Sequence, residues 1–316
     1  YFQSNAVALE VRAKAGDALA GIAPEGLDRV FFVNSGAEAN ENALRVACRA
    51  TGRSRVLALE HGFHGRTAAA AAVTWGAAKS WYGFPRTPFD VAFIPRDDTA
   101  RAEEMINGET AAVIIELVQG LAGAYDLEPG FVLTIAEACR RAGALLIVDE
   151  VQSGVGRTGA PFAANLYGLK PDLLTTAKAL GGGFPCSALL MTEALAHTLK
   201  SGDLGTTFGG GPMACALVST VIEVIQRDRL MDNVRTLSAE IRRTALVGPA
   251  EGIQGRGFLL GLRCRRPAKD VQAELLERDI LVGTSSDPKV VRLLPPLTLE
   301  KQHVATLVSA LSDIGQ

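Results

Sequence analysis

The sequence predicts an α/β protein: a larger domain on a mainly parallel sheet, followed by a smaller C-terminal α+β domain. Strand-length apolar runs alternate with segments of helical periodicity, as in βαβ units. The runs are continuous rather than alternating between apolar and polar residues, which is typical of strands buried on both faces. Beyond about Leu230 the pattern changes to a helix followed by short strands. We therefore expect domains at 7–230 and 231–316.

Each element follows from a local pattern. The predicted helix over 37–50 has Glu38 and Glu41 near its start, where carboxylates suit the helix dipole. Helical spacing also predicts helices over 7–20, 129–142, 213–227 and 234–245. Apolar runs predict strands at 29–33, 55–59, 91–95, 112–116, 144–149, 258–262 and 290–294, and a further segment that starts at 172–175.

The composition excludes several classes of protein. Of the 316 residues, 48% are hydrophobic and 21% are charged, which is ordinary for a globular protein and unlike a disordered one. The 32 basic and 34 acidic residues give a net charge of −2, so we expect neither a nucleic-acid nor a membrane partner. The longest apolar stretch, 68–73, is far shorter than the about 20 residues of a spanning helix.

The cysteines and histidines indicate a reducing compartment and no metal. Five cysteines are scattered without a CxxC pair, so we expect a cytoplasmic protein rather than a disulfide framework. The one close histidine pair, His61 and His64, is interpreted as part of a turn rather than as a metal site.

The first six residues, Tyr1–Ala6, are interpreted as the remnant of an expression tag. From Val7 the chain begins inside a helical pattern that has no start signal. We therefore expect an N-terminal segment to be missing.

One glycine motif is rejected as a nucleotide site. Gly154, Gly156 and Gly159 match the GxGxxG string of dinucleotide-binding proteins. However, no clear helix opens in these glycines, since Pro161 follows, and no acidic residue ends a second strand at the required distance. We interpret this segment as a flexible loop.

Three other segments suggest a phosphorylated cofactor with an aldehyde. Asn34–Asn40 places small residues between a strand and a helix start, where backbone N–H groups can bind phosphate. Asp149 ends a hydrophobic strand, and Lys178 stands between an apolar segment and three glycines, where partial burial would ease Schiff-base formation. Each segment alone has a plain alternative: a helix cap, a salt-bridged carboxylate or a surface lysine. Together they are the parts that pyridoxal phosphate (PLP) needs.

The ordered set SGAEAN, HGFHGRT, VDEVQSGVGRTG, AKALGGGFP and TTFGGGP resembles the class III aminotransferases. These are fold type I PLP enzymes such as the acetylornithine, ornithine and 4-aminobutyrate aminotransferases. The resemblance covers nearly the whole chain after the first six residues. It implies a PLP-dependent enzyme of amino-acid metabolism.

The resemblance also implies roles for single residues at the cofactor. Lys178 matches the Schiff-base lysine, which also moves a proton, and Asp149 matches the partner of the ring nitrogen. The other matches are Ser35, Gly36 and Ala37 at the phosphate, Phe63 stacked on the ring, Gln152 near the phenolic oxygen, and Thr207 at the phosphate of the neighbouring subunit of a homodimer.

Two arginines match the carboxylate-binding residues of the family, because a guanidinium can bind a carboxylate through two hydrogen bonds. Arg66 matches the residue for the donor's α-carboxylate, although a solvated side chain is the alternative. Arg292 matches the residue for 2-oxoglutarate or glutamate. The implied reaction moves an amino group from an acetylornithine-like amino acid or ω-amine to 2-oxoglutarate by a ping-pong mechanism.

The chain departs from the family pattern at three places. Leu121 replaces a glutamate that can pair with the arginine matched by Arg292, so we expect Arg292 to stay available in both half-reactions. Gly211 replaces an asparagine near Thr207, and family members have a longer N-terminal region that shapes the pocket. These departures leave open a different PLP reaction, such as decarboxylation-coupled transamination or an aminomutase, and a non-catalytic paralogue.

Overall fold

The computed structural model describes residues 7–315, so the predicted tag at 1–6 lies outside the described residues. The chain forms two compact units. The second unit also takes in two short segments that precede the predicted boundary at residue 230. The first unit comprises the chain up to Leu117, Leu127–Val155 and Phe162–Val224, and the second comprises Val118–Asp126, Gly156–Pro161 and the chain from Ile225.

The first unit is an α/β structure with one large sheet. Its strands are β1 (Arg29–Val33), β2 (Arg55–Leu59), β3 (Asp90–Ile94), β4 (Thr110–Ile115), β7 (Leu145–Asp149), β8 (Leu173–Thr176) and β9 (Ser187–Met191). Its helices are α1 (Glu10–Ala20), α2 (Gly36–Thr51), α3 (Ala68–Ala72), α4 (Ala77–Ser80), α5 (Thr99–Met105), α6 (Pro129–Ala142), α7 (Ala163–Tyr167), α8 (Glu193–Ala196) and α9 (Pro212–Arg227), near whose end the boundary between the units falls.

The sheet of the first unit is mainly parallel, as predicted, with strand order β1-β9-β8-β7-β4-β2-β3. The only antiparallel member is β9, which lies between β1 and β8. Every residue of β4 is buried, because helices cover both faces of a parallel sheet. In the register, Ile115 pairs with Val148, and Asp149 pairs with Thr175. The residues that follow β4, β7 and β8 therefore meet at one edge of the sheet.

The second unit has its own sheet and core. Its elements are β5 (Val118–Gln119), β6 (Tyr125–Asp126), α10 (Leu230–Thr244), β10 (Ala250–Arg256), β11 (Leu259–Cys264), α11 (Ala268–Leu276), β12 (Gly283–Thr284), β13 (Val290–Leu293) and α12 (Lys301–Asp313). Four of the strands form an antiparallel sheet in the order β10-β11-β13-β12. Apolar residues of this sheet and of the helices form one core, which includes Phe258, Leu260, Val271, Val291 and Leu311.

All five cysteines are free thiols, and four of them are buried. Burial raises the pKa of Cys139 and of Cys186 to about 12, so neither suits thiolate chemistry. Within residues 7–315, no group of three or more His, Cys, Asp or Glu side chains could hold a metal ion. In the same range, none of the helices has the length and apolar character needed to cross a membrane.

Candidate active site

Asp149, the last residue of β7, is a buried carboxylate with three hydrogen-bond contacts. Its side chain is 3% exposed. Oδ2 accepts a hydrogen bond from Asn40 Nδ2 at 2.7 Å and lies 2.8 Å from His64 Nδ1. Oδ1 accepts from the backbone N–H of Val151 at 2.9 Å. The two oxygens are thus unequal, because one has two side-chain neighbours and the other has one backbone donor.

Glu116 is a second buried carboxylate at the same edge of the sheet. It follows β4 directly, as Asp149 ends β7, and its Oε2 accepts from the backbone N–H of Phe63 at 2.8 Å. Burial raises the pKa of Glu116 to about 7, with Asp149 raising it further and His64, Phe63 and Lys178 lowering it. Glu116 also connects the strand ends to the segment that carries Phe63.

Lys178 follows β8 at this edge and begins a short 3₁₀ turn, Lys178–Gly181. Its φ of 48° lies in the left-handed region, which costs a non-glycine residue about 1–2 kcal/mol. Strain of this kind is common at functional sites. The side chain is exposed in this chain, whereas the sequence predicted a partly buried lysine. Lys178 is nevertheless close enough to lower the pKa of Glu116.

The N-terminus of α2 offers two unused N–H groups. Ser35 caps the helix: its Oγ accepts from the N–H of Glu38 at 3.2 Å, and Asn34 N–H donates to the Glu38 carboxylate at 2.8 Å. Among residues 7–315, the N–H groups of Gly36 and Ala37 have no acceptor. Helix N-termini of this kind bind phosphate. The plain cap and the phosphate site are therefore compatible, since they use different N–H groups.

The segment that carries Phe63 packs closely on α2. A Cβ added to Gly65, whose φ is 138°, would lie 2.6 Å from the Cβ of Ala37. Only glycine allows this approach at position 65. Phe63 is half-buried, and Gln152, after β7, has a buried Oε1 with no hydrogen-bond partner among the described residues.

Arg66 is exposed and contacts an aromatic ring. Its guanidinium carbon lies 5.3 Å from the ring centroid of Trp81, which is a cation–π geometry. The side chain is therefore supported on one face by Trp81 rather than fully solvated.

Thr207 lies on an exposed loop between α8 and α9. Its neighbour Thr206 anchors the loop, because Thr206 Oγ1 accepts from Asn34 Nδ2 at 3.3 Å and from Gly209 N–H at 3.1 Å. Thr207 itself is exposed, and so are Phe208 and Met213 beside it, at 71% and 65%.

Arg292 and Leu121 belong to the second unit. Arg292, on β13, donates from Nε to the Thr284 carbonyl at 2.7 Å and from Nη1 to the Gly120 carbonyl at 3.3 Å. Leu121, which follows Gly120, accepts at its carbonyl from Ser286 N–H at 2.9 Å. The guanidinium of Arg292 is thus held by backbone carbonyls, one of them adjacent to Leu121.

Three residues of this site have no role predicted from the sequence. Asn40 lies inside the SGAEAN motif, the sequence predicts His64 only as part of a turn, and Glu116 is only the end of a predicted apolar strand. Glu116 could have been found, because it follows a buried strand in the same way as Asp149. The contacts of Asn40 and His64 depend on the strand register, which the motifs do not contain.

The residues present suit PLP. The unused N–H groups of Gly36 and Ala37 are suited to a phosphate, and the buried Oε1 of Gln152 leaves an amide without its full set of hydrogen bonds. Asp149 is a buried acceptor, and Lys178 supplies an amine at the same sheet edge.

The chain is similar to known aminotransferases along almost its whole length. A family model described as Aminotransferase class-III matches residues 1–314. The acetylornithine aminotransferase of Methanosarcina acetivorans is 38% identical over 317 residues, covering 98% of this chain and 78% of the relative. That of Archaeoglobus fulgidus is 42% identical over 281 residues, covering 88% and 73%. The ornithine aminotransferase structure of Toxoplasma gondii aligns with a TM-score of 0.91 at 30% identity, covering 99% of this chain and 78% of that one.

Proposed function

The chain belongs to the class III aminotransferases, and we propose that it moves an amino group from an acetylornithine-like donor to 2-oxoglutarate. Membership of the family makes it a PLP-dependent enzyme that takes an amino donor and an oxo acid. One observation carries the assignment of the site: a single sheet edge of the first unit holds the buried Asp149, the amine of Lys178 and Glu116. When bound, PLP supplies a ring that accepts electron density from the donor carbon.

In this proposal Lys178 transfers a proton, and Asp149 holds the proton of the ring nitrogen in place. Lys178 would hold the cofactor by condensing with its aldehyde, which releases water, and its Nζ, when free, would carry a proton from the donor's carbon. Asp149 Oδ1 would accept a hydrogen bond from the N–H of the ring nitrogen and keep that proton in place. The left-handed turn at Lys178 sets the direction in which its side chain leaves the backbone.

The phosphate and ring contacts come from the backbone of α2 and from two side chains. The N–H groups of Gly36 and Ala37, with Ser35 beside them, bind the phosphate. Phe63 offers a flat face for the ring. Gln152 directs the NH₂ group of its amide to the phenolic oxygen, which accepts the hydrogen bond.

The carboxylates of the substrates go to arginines. Arg66, supported by Trp81, binds the α-carboxylate of the donor. Arg292 is assigned to 2-oxoglutarate on the family motif alone, and this stays a prediction. Because the amino group would stay on the cofactor between the two half-reactions, the donor would leave as an oxo acid before 2-oxoglutarate enters, which is a ping-pong scheme.

A donor panel tests this function. The PLP-loaded protein is incubated with 2-oxoglutarate and either acetylornithine, ornithine or 4-aminobutyrate, and glutamate is measured. We expect acetylornithine to be preferred, with parallel lines in double-reciprocal plots. Lys178→Ala lowers the rate by at least about 10²- to 10⁴-fold and removes the visible absorption of the lysine-bound cofactor. A wild-type protein that shows no Lys178-dependent band at saturating PLP refutes the proposal.

We further propose a homodimer in which Thr207 binds the phosphate in the neighbouring subunit. The exposure of Thr207 and Phe208 on the loop and of Met213 in the first turn of α9 supports this, since exposed apolar patches often mark protein–protein contacts. Lys178→Ala and Thr207→Ala proteins are mixed under conditions that exchange subunits. If Thr207 acts on its neighbour, each mixed dimer has one complete site, and activity at limiting PLP recovers above that of either variant. No recovery in proven mixed dimers contradicts the shared site.

A further inference from the structure

We propose that Asn40 is a positioning residue. It orients the Asp149 carboxylate so that one oxygen, Oδ1, stays available to the cofactor ring. The inference rests on the proposed function, because the ring nitrogen in question is that of PLP. Asn40 lies on α2, one turn beyond Gly36, and is 1% exposed.

The side chain of Asn40 uses both ends of its amide. Nδ2 donates to Asp149 Oδ2 at 2.7 Å and to the backbone carbonyl of His64 at 2.7 Å. Oδ1 accepts from Thr175 Oγ1 at 2.6 Å. Both N–H groups of the amide and one lone pair of its oxygen are thus in use.

These partners fix the orientation of the amide. A carbonyl and a carboxylate oxygen can only accept, so the end that faces both must be the NH₂ group. The reverse orientation would place Oδ1 against two oxygens and leave Thr175 to accept from Nδ2.

These hydrogen bonds decide which oxygen of Asp149 can still accept a hydrogen bond from the cofactor. Oδ2 meets two N–H groups, those of Asn40 Nδ2 and His64 Nδ1, which use both of its lone pairs. Within residues 7–315, Oδ1 meets only the N–H of Val151. One lone pair of Oδ1 is left, and it is the one available to the N–H of the pyridine ring. Rotation of the carboxylate would break the bond to Asn40, so the orientation is held.

Asn40 also joins the parts of the site that hold the two ends of PLP. It lies on the helix whose N-terminus offers Gly36 and Ala37, and through His64 it binds the segment that carries Phe63. Through Thr175 it binds β8, three residues before Lys178. Removal of the Asn40 side chain should therefore weaken PLP binding without exposing the core.

The experiment measures the apparent Kd for PLP and the Tm of the same preparations. Asn40→Ala is expected to weaken PLP binding by about 10- to 100-fold, since hydrogen bonds to charged groups contribute about 1.5–3 kcal/mol. The control is Asn42→Ala: Asn42 lies on the same helix, and its Nδ2 donates to the Glu38 carbonyl at 2.8 Å, away from Asp149. We expect its Kd to stay within about twofold of the wild type.

A pH profile separates orientation from packing. Asn40→Asp keeps the shape but faces Asp149 with a carboxyl group that can donate only when protonated. The charged groups around it are Asp149, His64, Glu116 and Lys178. PLP affinity relative to the wild type should improve as the pH falls. Where Asn40→Ala does not fold, Thr175→Val should raise Kd by several-fold and Thr175→Ser should restore it.

Unchanged Kd in both Asn40→Ala and Thr175→Val overturns the inference, and so does an equal loss in Asn42→Ala. Failure of the proposed function is distinct, because then the wild-type protein itself shows no Lys178-dependent PLP band.

Discussion

Glu150 is expected to make the first unit less stable as the pH rises. It follows Asp149, is fully buried, and accepts from Ala164 N–H at 2.7 Å and from Ser153 Oγ at 2.6 Å. Burial raises its pKa from an ordinary 4.5 to about 7, against the lowering effect of the Ser153, Ala164 and Ala163 hydrogen bonds, while Asp149 raises it further.

The direction of this pH dependence follows from proton linkage. Between pH 4.5 and 7 the folded protein binds more protons at Glu150 than the unfolded chain does, so stability is lost as the pH rises through this range. Each pKa unit corresponds to about 1.4 kcal/mol, which gives a loss of about 3 kcal/mol from this carboxyl group. Glutamine keeps an acceptor for Ala164 and carries no charge. Relative to the wild type, Glu150→Gln should therefore gain less than about 1 kcal/mol at pH 5 and about 3 kcal/mol at pH 8.

The assay is urea unfolding at saturating PLP between pH 5 and 8, followed by tryptophan fluorescence. Both tryptophans of the chain, Trp75 and Trp81, lie in the first unit, so they report its unfolding. Glu223→Gln, an exposed glutamate on α9, is the matched control. Parallel stability curves for wild type and Glu150→Gln would refute the reasoning.

Three further substitutions have definite expected outcomes. Trp81→Leu should raise KM about two- to fivefold for donors with an α-carboxylate, because the Trp81 ring supports Arg66. The KM for amines without a carboxylate should stay the same, and an equal rise for both kinds of donor contradicts this. Leu121→Glu should raise the preference for ω-amine donors by placing a carboxylate beside the Gly120 carbonyl that Arg292 binds, and an unaltered donor ranking counts against it. Gly36→Ala should cost about 1–3 kcal/mol in an unfolding assay, because the new Cβ would lie 2.7 Å from Val151 Cγ1; Val151→Ala in the same chain should restore stability.

The sequence predicts most of the first unit because its strands are long apolar runs. It misses β9, whose Ser-Ala-Leu-Leu-Met sequence favours a helix in isolation and becomes a strand only between β1 and β8. The motifs place Asp149 and Lys178 at strand ends, as the structure does. The exposure of Lys178 and the hydrogen bonds of Asn40 depend on the pairing of distant segments, which local patterns do not encode.

The position of β9 has a consequence for synthesis on the ribosome. β1 joins the sheet only through β9, which leaves the ribosome much later. At about 5–20 residues per second, β1 waits roughly eight to thirty seconds for its partner. Since Ser35 and Gly36 follow β1 closely, the part of the site that we propose for the phosphate is completed among the last parts of the nascent first unit. A chaperone that binds the segment around β1 during this interval would protect a strand whose pairing partner has not yet been made.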